Sequence, residues 1–431
     1  MLKKMTVQEA MDKGKGSVEL FGWVYRERHS NQLAFIVLRD SSNIIQCVIE
    51  KEKASEKTWE EALKAKIESS VSVKGEIAKD ERAPTGYEVK VKELEIIGPA
   101  EDFPIGKDQG IEFLLDNRHL WLRSRKMASI LKIRSTCFEA IHEFFRKEGF
   151  YEFQSPCLTA SAGESGSTQF KVDYFGEPMY LTQTWQLYAE AGVFALEKIY
   201  CIAPSFRAEP SKTSRHLTEY WHAEMEAAWI DFNDLQDYGE KLIKHIMKKV
   251  LEKNKEELKL LERDAKKLEP TVEKKFPRIT YDEALKLLDK KGMKVKWGKD
   301  LRTLEEDKLS EYYDTPVIVT RYPKEVKAFY MKEDPENEKV VLGFDMIAPE
   351  NYGEIIGASQ REEKPEEITR KLKAQGEKPE KYSWYLDLRK YGSVPHGGFG
   401  LGVERVISWV CGLDSIKDAI PFPRTMYRKT P

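Results

Sequence analysis

No apolar run in this sequence approaches the about twenty residues that a membrane-spanning helix needs, so neither a spanning helix nor a membrane partner is expected. The opening stretch MLKKMTVQEAMDKGKG lacks the continuous apolar core of a secretory signal, and the expected location is cytoplasmic. Cysteine is scarce. The five residues Cys47, Cys137, Cys157, Cys201 and Cys411 are scattered, odd in number and free of any C-x-x-C pair. That pattern argues against a disulfide framework and against a zinc site, and makes buried free thiols the expectation. Net charge is also missing: charged residues make up 33% of the chain, yet their balance is only −2. A near-neutral total argues against a nonspecific polyanion binder, and DNA is not an expected partner. Two phosphate-binding signatures are absent as well. There is no G-x-x-x-x-G-K-[ST] loop anywhere, and no dinucleotide fingerprint follows an early strand.

What is present is material for large cores. The chain has 431 residues, 41% of them hydrophobic, with nine Trp and nineteen each of Tyr and Phe, so two or three domains are expected. Residues 1–98 form the first. SVELFGWVY, LAFIVLRD, NIIQCVIE, SVSVKGEI and YEVKVKELEII read as five strands. Between the third and fourth, ASEKTWEEALKAKI repeats Trp59, Leu63 and Ile67 at helical spacing. Five strands with a helix in that position is the order of an OB-fold barrel, which commonly binds single-stranded nucleic acid. Acidic and basic residues balance over 1–98, so any RNA affinity must come from a few placed side chains. Arg28, Phe35 and Gln46 are the candidates, because a guanidinium, an aromatic ring and an amide can together stack on and hydrogen-bond a splayed base. The alternative for Phe35 is a barrel-core residue.

Residues 99–124 have the composition of a linker, and a second domain occupies 125–431. KMASILKIRSTCFEAIHEFFRKEG predicts a long amphipathic helix with Ile130, Ile133, Cys137, Phe138, Ile141 and Phe145 on one face, stopped at Gly149. FYEFQSPCL follows as a strand broken by Pro156. TASAGESGSTQF surrounds one carboxylate, Glu164, with small residues, as suits a loop closing over a ligand amine. In YLTQTWQLYAEAGVFALEKIY, Gln186 and Glu190 are four apart and so share a helix face. Pro204 to Trp229 reads as a hairpin, YCIAPSFRAE and EYWHAEMEAAW joined by turn residues. It concentrates Arg207, Arg215, His216 and Tyr220 among Glu209, Glu219, Glu224 and Glu226, a composition suited to an anionic nucleotide.

Further on, 233–270 is Lys/Glu-rich and reads as solvated helix. PVIVTRYP and KAFYMKE read as strands. VVLGFDMIAPENYGEIIGASQRE carries Asp345, Glu354 and Arg361 near strand ends, and its two carboxylates at that spacing can share a divalent ion. Residues 364–384 look like a connecting helix and loop. HGGFGLGVER allows close backbone approach at Gly398, Gly400 and Gly402, then opens a helix with Arg405 near its start, which favours a phosphate.

Taken together, these stretches resemble the class II aminoacyl-tRNA synthetases of the aspartyl/asparaginyl/lysyl subgroup, in their archaeal form. The long helix, strand and Pro156 are similar to motif 1, a dimer-forming element in that family. FRAEPSKTSRHLTEYW is similar to motif 2, and GFGLGVERV with the closing FPR to motif 3. The resemblance spans essentially the whole chain. It implies a multi-domain α+β protein, with the OB-fold barrel followed by an antiparallel-sheet catalytic domain flanked by helices. The implied chemistry is attack of an amino acid carboxylate on the α-phosphorus of ATP, then transfer of the aminoacyl group to the tRNA terminal ribose. By motif position, Arg207 holds the α-phosphate, and Glu209 the adenine and tRNA end. Arg215, His216 and Arg405 grip the outer phosphates, and Tyr220 stacks on adenine. Asp345 and Glu354 bind Mg2+, Glu354 also serving ATP. Glu164, Gln186, Glu190 and Arg361 bind the amino acid. Arg28, Phe35 and Gln46 match anticodon contacts. A homodimer is implied.

The choice of amino acid rests on the stretch TQTWQLYAE, which in aspartyl members usually reads QSPQLYKQ, with a lysine for the substrate carboxylate. Here Ala189 replaces that lysine and Glu190 follows. A carboxylate repels aspartate but accepts from an amide NH2, and Arg361 would face the amide oxygen. The expected substrate is therefore L-asparagine and the expected partner tRNA(Asn). Two departures from the family pattern are Trp185, where a small residue or Pro is usual, and Gly357, where the aspartyl pattern has a serine near the metal. The alternatives are an aspartyl-specific synthetase, a family-derived ATP-dependent asparagine synthetase and a catalytically silent RNA-binding paralogue. The barrel-like 17–98 argues against the second. Retention of Arg207, Glu209, His216, Asp345, Glu354 and Arg405 argues against the third.

Overall fold

The computed structural model describes residues 4–160, 169–210 and 215–431. The chain divides into two compact units, Met1–Leu115 and Asp116–Pro431. In the first, strands β1 (Gly16–His29), β2 (Leu33–Arg39), β3 (Ile44–Glu50), β4 (Ser70–Lys79) and β5 (Tyr87–Gly98) close into a barrel in the order β1-β2-β3-β5-β4. Strict alternation produces its core. Ala34, Ile36 and Leu38 of β2 and Ile45, Cys47 and Ile49 of β3 point inward, while their neighbours, Phe35 among them, lie on the outer face. Helix α1 (Val7–Lys13) begins with a Thr6–Glu9 capping box. Helix α2 (Glu56–Lys64) sits between β3 and β4 and is capped by Ser55. Its inner face is Trp59 and Ala62; Leu63 and Ile67 are exposed. The expected 59/63/67 stripe fails because the buried face is Thr58, Trp59 and Ala62, which leaves Leu63 outside, and the helix ends at Lys64, before Ile67.

Part of 99–124 is helical, at Ile111–Asp116 and Arg118–Trp121. Within the second unit, α3 (Arg125–Lys147) is capped by Ser124 and buries Ile130, Ile133, Cys137, Ile141 and Phe145 as its periodicity predicts. An eight-stranded sheet lies at the centre. Its strands are β6 (Tyr151–Glu152), β7 (Lys198–Phe206), β8 (Glu219–Ala228), β9 (Arg278–Thr280), β10 (Val317–Thr320), β11 (Gly343–Ala348), β12 (Gly353–Gln360) and β13 (His396–Gly402). Their order is β9-β10-β11-β12-β13-β8-β7-β6. All six strands from β10 to β7 pair antiparallel; the edge strands β9 and β6 pair parallel to their neighbours. Helices α4 (Gln186–Leu196), α5 (Phe232–Lys253), α6 (Thr303–Ser310), α7 (Ser383–Lys390) and α8 (Val403–Cys411) complete the frame used below.

Three expectations need correction here. KAFYMKE is not a continuous strand: it pairs at a single antiparallel bridge, Met331 with Arg361, and at its end, where Glu333–Asp334 forms a short strand. Phe329 and Tyr330 are consecutive and both buried, which a period-two strand with one buried face does not do; they pack with Ile368, Leu372, Tyr382 and Tyr385. The charged stretch 233–270 is solvated on one side only, since α5 buries Leu235, Leu242, Ile243, Ile246, Met247 and Val250. Four cysteines are buried, but Cys157 is exposed, and all five are free.

Candidate active site

The site is built where β8, β12 and β13 lie side by side. Gly400 of β13 is in register with Glu224 of β8 and with Gly357 of β12, so the middle of the sheet presents a floor with few side chains between two carboxylate-bearing strands. Above it are two contiguous hollows. The smaller is lined by Arg207, Arg215, His216, Tyr220, Glu354 and Arg405. The larger, a cavity of about 580 Å³, is lined by Gln186, Glu224, Lys327, Asp345 and Arg361 among others. Arg207, His222, Glu354 and Gly400 belong to both.

In the first hollow the cations expected for ATP converge. Arg207 sits 5.7 Å from the centroid of the Tyr220 ring, and Tyr220 meets His222 edge-on at 5.5 Å. Arg405, near the start of α8, donates Nη1 to the Glu354 carbonyl at 2.6 Å. Burial, and then the Arg405 charge, lower the His216 pKa, so the ring is neutral at pH 7. Glu209 does not line the hollow; its charge opposes the lowering at His216.

On the amino acid side Arg361 lines the cavity with a guanidinium fixed from behind. Nε donates to Glu226 Oε2 at 3.2 Å, Nη2 to Glu226 Oε1, and Nη1 to Ser359 Oγ at 2.7 Å. Burial alone would lower its pKa; Glu226 and Glu190 outweigh that and push it up. Glu190 is fully buried and lies behind the cavity wall. Tyr385 OH donates to it at 2.8 Å, Gln186 Nε2 donates to Oε1 at 3.0 Å, and Arg389 Nη2 donates to Oε2, with His396 Nε2 at 3.1 Å. Arg361 Nε approaches within 4.0 Å. Against the cost of burial, Arg389, His396 and Arg361 hold the Glu190 carboxyl well below the usual range. A carboxylate only accepts, so Glu190 fixes the orientation of the Gln186 amide, which does line the cavity. Glu164 lies outside the described residues.

Trp185 and Ala189 are explained by packing. Trp185 is buried, donates Nε1 to the Phe153 carbonyl at 2.8 Å, and its own N–H goes to Glu224 Oε2 at 2.8 Å. Ala189 packs with it in an apolar cluster that includes Val193, Ile199 and Cys201. A lysine at 189 would enter that cluster without a counter-ion.

Asp345 and Glu354 face each other across Gly357. A Cβ there would lie 2.8 Å from Glu354 Oε1 and 3.9 Å from Asp345 Oδ1, so the glycine keeps the space between the carboxylates open. Among the described residues no group of three or more ligating side chains occurs. Two carboxylates with water and phosphate oxygens suit magnesium. Lys327 also reaches this point, with Nζ 2.8 Å from Asp345 Oδ2 and 3.9 Å from the Tyr322 ring. Burial, despite Lys327, raises the Asp345 carboxyl to about 6, and burial with the Glu354 charge raises Glu306 to about 8. Lys327, Glu306 and the paired Arg389–Tyr385 were not visible as site residues in the sequence, because each meets its partner only through the fold, from 18 residues away for Lys327 and Asp345 to 199 for Arg389 and Glu190.

In the barrel unit, Arg28 and Phe35 are cross-strand partners on β1 and β2, with the guanidinium 5.9 Å from the ring. Gln46 donates Nε2 to Glu88 Oε2 at 3.3 Å. Phe35 is half-buried on the outer face, not in the core.

Residues 110–426 match the model for tRNA synthetases class II (D, K and N), and residues 18–97 match the OB-fold nucleic acid binding domain. The chain therefore belongs to the class II tRNA synthetases of the D, K and N family. The asparagine–tRNA ligase of Thermoplasma acidophilum is 50% identical over 96% of both chains. Asparaginyl-tRNA synthetase from Pyrococcus horikoshii, in its complex with asparaginyl-adenylate, superposes with a TM-score of 0.96 at 46% identity over all of both chains. The Entamoeba histolytica asparaginyl-tRNA synthetase gives 0.91 at 31% identity, again over all of both. Within the family the chain belongs with the asparagine–tRNA ligases.

Proposed function

We propose that this protein ligates L-asparagine to tRNA(Asn) through an asparaginyl-adenylate. In the first step a carboxylate oxygen of asparagine attacks the α-phosphorus of ATP, a P–O bond breaks, and pyrophosphate leaves. In the second, the terminal ribose hydroxyl of the tRNA attacks the activated carbonyl, loses its proton, and releases AMP. The observation that carries this reading is the continuity of the two hollows. A cation-rich pocket with an aromatic wall opens directly into a cavity that ends on Arg361, with Arg207 and Glu354 at their junction.

Arg207 at that junction is placed for the α-phosphate, where charge develops as pyrophosphate departs. Arg215, His216 and Arg405 serve the outer phosphates, and Tyr220 the adenine. Glu209, outside the first hollow, serves the tRNA end. No enzyme nucleophile is needed, so catalysis is positioning and charge neutralisation. Asp345 and Glu354 would hold Mg2+, which supplies neutralisation of the polyphosphate. Gln186 and Arg361 contact the asparagine, with Glu164 covering its amine. Glu190 contributes by fixing Gln186 and by facing Arg361. Because Arg361 is already neutralised by Glu226, and Glu190 by Arg389, aspartate finds no spare cation there, whereas a neutral amide needs none.

Arg28, Phe35 and Gln46 of the barrel read the anticodon. The protein works as a cytoplasmic homodimer joined through α3 and β6, and light scattering at twice the chain mass checks the assembly. The test of the chemistry is ATP–pyrophosphate exchange with purified protein. Exchange should depend on asparagine; exchange driven by aspartate instead would overturn the reading.

A further inference from the structure

Helix α6 turns one face, Glu306, Asp307 and Ser310, toward the turn between β11 and β12. Ser310 Oγ donates to Asn351 Oδ1 at 3.0 Å and accepts from Asn351 N at 3.3 Å, and Glu306 Oε2 accepts from Glu354 N at 3.3 Å. The turn is conformationally demanding. Glu350 and Asn351 hold φ of 59° and 65°, and Gly353 has φ of 71°, where a Cβ would lie 2.8 Å from Glu306 Oε2. Arg263 forks onto Glu350 at 2.9 and 2.6 Å, and Lys267 adds a contact at 3.1 Å. The charged stretch 233–270 thus braces this turn.

Both arginines assigned to the outer phosphates hang on it. Arg405 donates to the Glu354 carbonyl, as described, and Arg215 Nη2 donates to the Asn351 carbonyl. Arg215 is also held by Asp307: Nη2 donates to Oδ2 at 3.1 Å, and Nη1 lies 2.9 Å from Oδ1 as an ion-pair contact. While so held, Arg215 lines the pocket.

We propose that Asp307 is a positioning residue that pre-sets Arg215 for the outer phosphates of ATP. This rests on the reading of Arg215 as a phosphate contact. A partly exposed arginine carries large rotamer entropy, and a fixed carboxylate on a braced helix removes it before ATP arrives. Asp307 also subtracts charge from the pocket. It does not line the pocket and is partly solvated, so screening makes orientation the larger effect.

The test measures KM for ATP, KM for asparagine and kcat in pyrophosphate exchange for Asp307→Asn, Asp307→Glu, Arg215→Ala and Arg215→Ala/Asp307→Asn. Asp307→Asn should raise the ATP KM about tenfold, the scale of one charge-assisted pair, leaving asparagine KM and Tm unchanged. Asp307→Glu should recover part of the loss, and the double variant should be no worse than Arg215→Ala. If Arg215→Ala raises the ATP KM and Asp307→Asn does not, or the two losses add, the positioning role is wrong while the phosphate contact stands. If Arg215→Ala itself leaves the ATP KM unchanged, both fall.

Discussion

Replacing Arg134 by methionine strands a carboxylate in the interior of the catalytic unit. Arg134 of α3 donates Nη1 to Glu404 Oε1 at 2.7 Å and to the Ala419 carbonyl at 3.0 Å, and stacks 4.8 Å from the Phe138 ring. Glu404 is 1% exposed, and its other oxygen accepts from Trp221 N at 2.9 Å. Breaking a buried pair by removing one partner costs about 3–5 kcal/mol. At about 2–4 °C per kcal/mol for a unit of this general size, Tm should fall by roughly 10 °C or more.

The pH dependence distinguishes this cause from lost packing. Burial, against the pull of Arg134, already raises the Glu404 pKa. A carboxyl raised in the folded state contributes stability that is fully present below its unfolded value and lost as pH rises through the folded one. Removing Arg134 raises it further, so the destabilisation should be largest near pH 8 and shrink toward pH 5.5. Scanning calorimetry of Arg134→Met and of Arg134→Met/Glu404→Gln across that range checks it. The double variant, with no stranded charge, should recover most of the loss. A fall in Tm that is the same at every pH, or a double variant as unstable as the single, would refute the reasoning.

Glu190→Gln removes the anion that neutralises Arg389 and faces Arg361; discrimination for asparagine over aspartate, as the ratio of kcat/KM values, should drop about tenfold or more while ATP KM holds, and unchanged asparagine kinetics would make Glu190 a packing residue. Phe35→Ala should raise the tRNA KM about tenfold, from the 1–3 kcal/mol that one stacked base contributes, and leave pyrophosphate exchange untouched. Ellman's reagent should titrate one thiol in the native protein, Cys157, and all five in denaturant, because burial pushes Cys47 and Cys137 up to about 12 and raises Cys201 and Cys411 as well. A second fast-reacting native thiol would contradict the burial.

The barrel was legible because each of its strands alternates with period two, and the structure places all five where the pattern does. The helix α3 was legible from its stripe, and the ATP pocket from its motifs, whose residues sit within a hairpin or across one strand–helix junction. Glu190 shows where such reading stops. Its spacing from Gln186 correctly gave a shared helix face, but not the hydrogen bond between the two, nor that Tyr385, Arg389 and His396 would close over it from about two hundred residues away. Asp307 was invisible for the same reason, with Arg215 92 residues away, and Lys327 because nothing in the sequence ties it to Asp345, 18 residues on. Each looks like an ordinary surface charge until the fold supplies Asp345 and Arg215.

Charging of a tRNA(Asn) transcript with labelled asparagine or labelled aspartate, in the presence of ATP and magnesium, tests the central claim most directly. Ligation in a cavity that ends on an arginine already paired with Glu226 predicts asparaginyl-tRNA as the product and aspartate charging slower by orders of magnitude in kcat/KM. Comparable charging with aspartate, or none with asparagine, would contradict it.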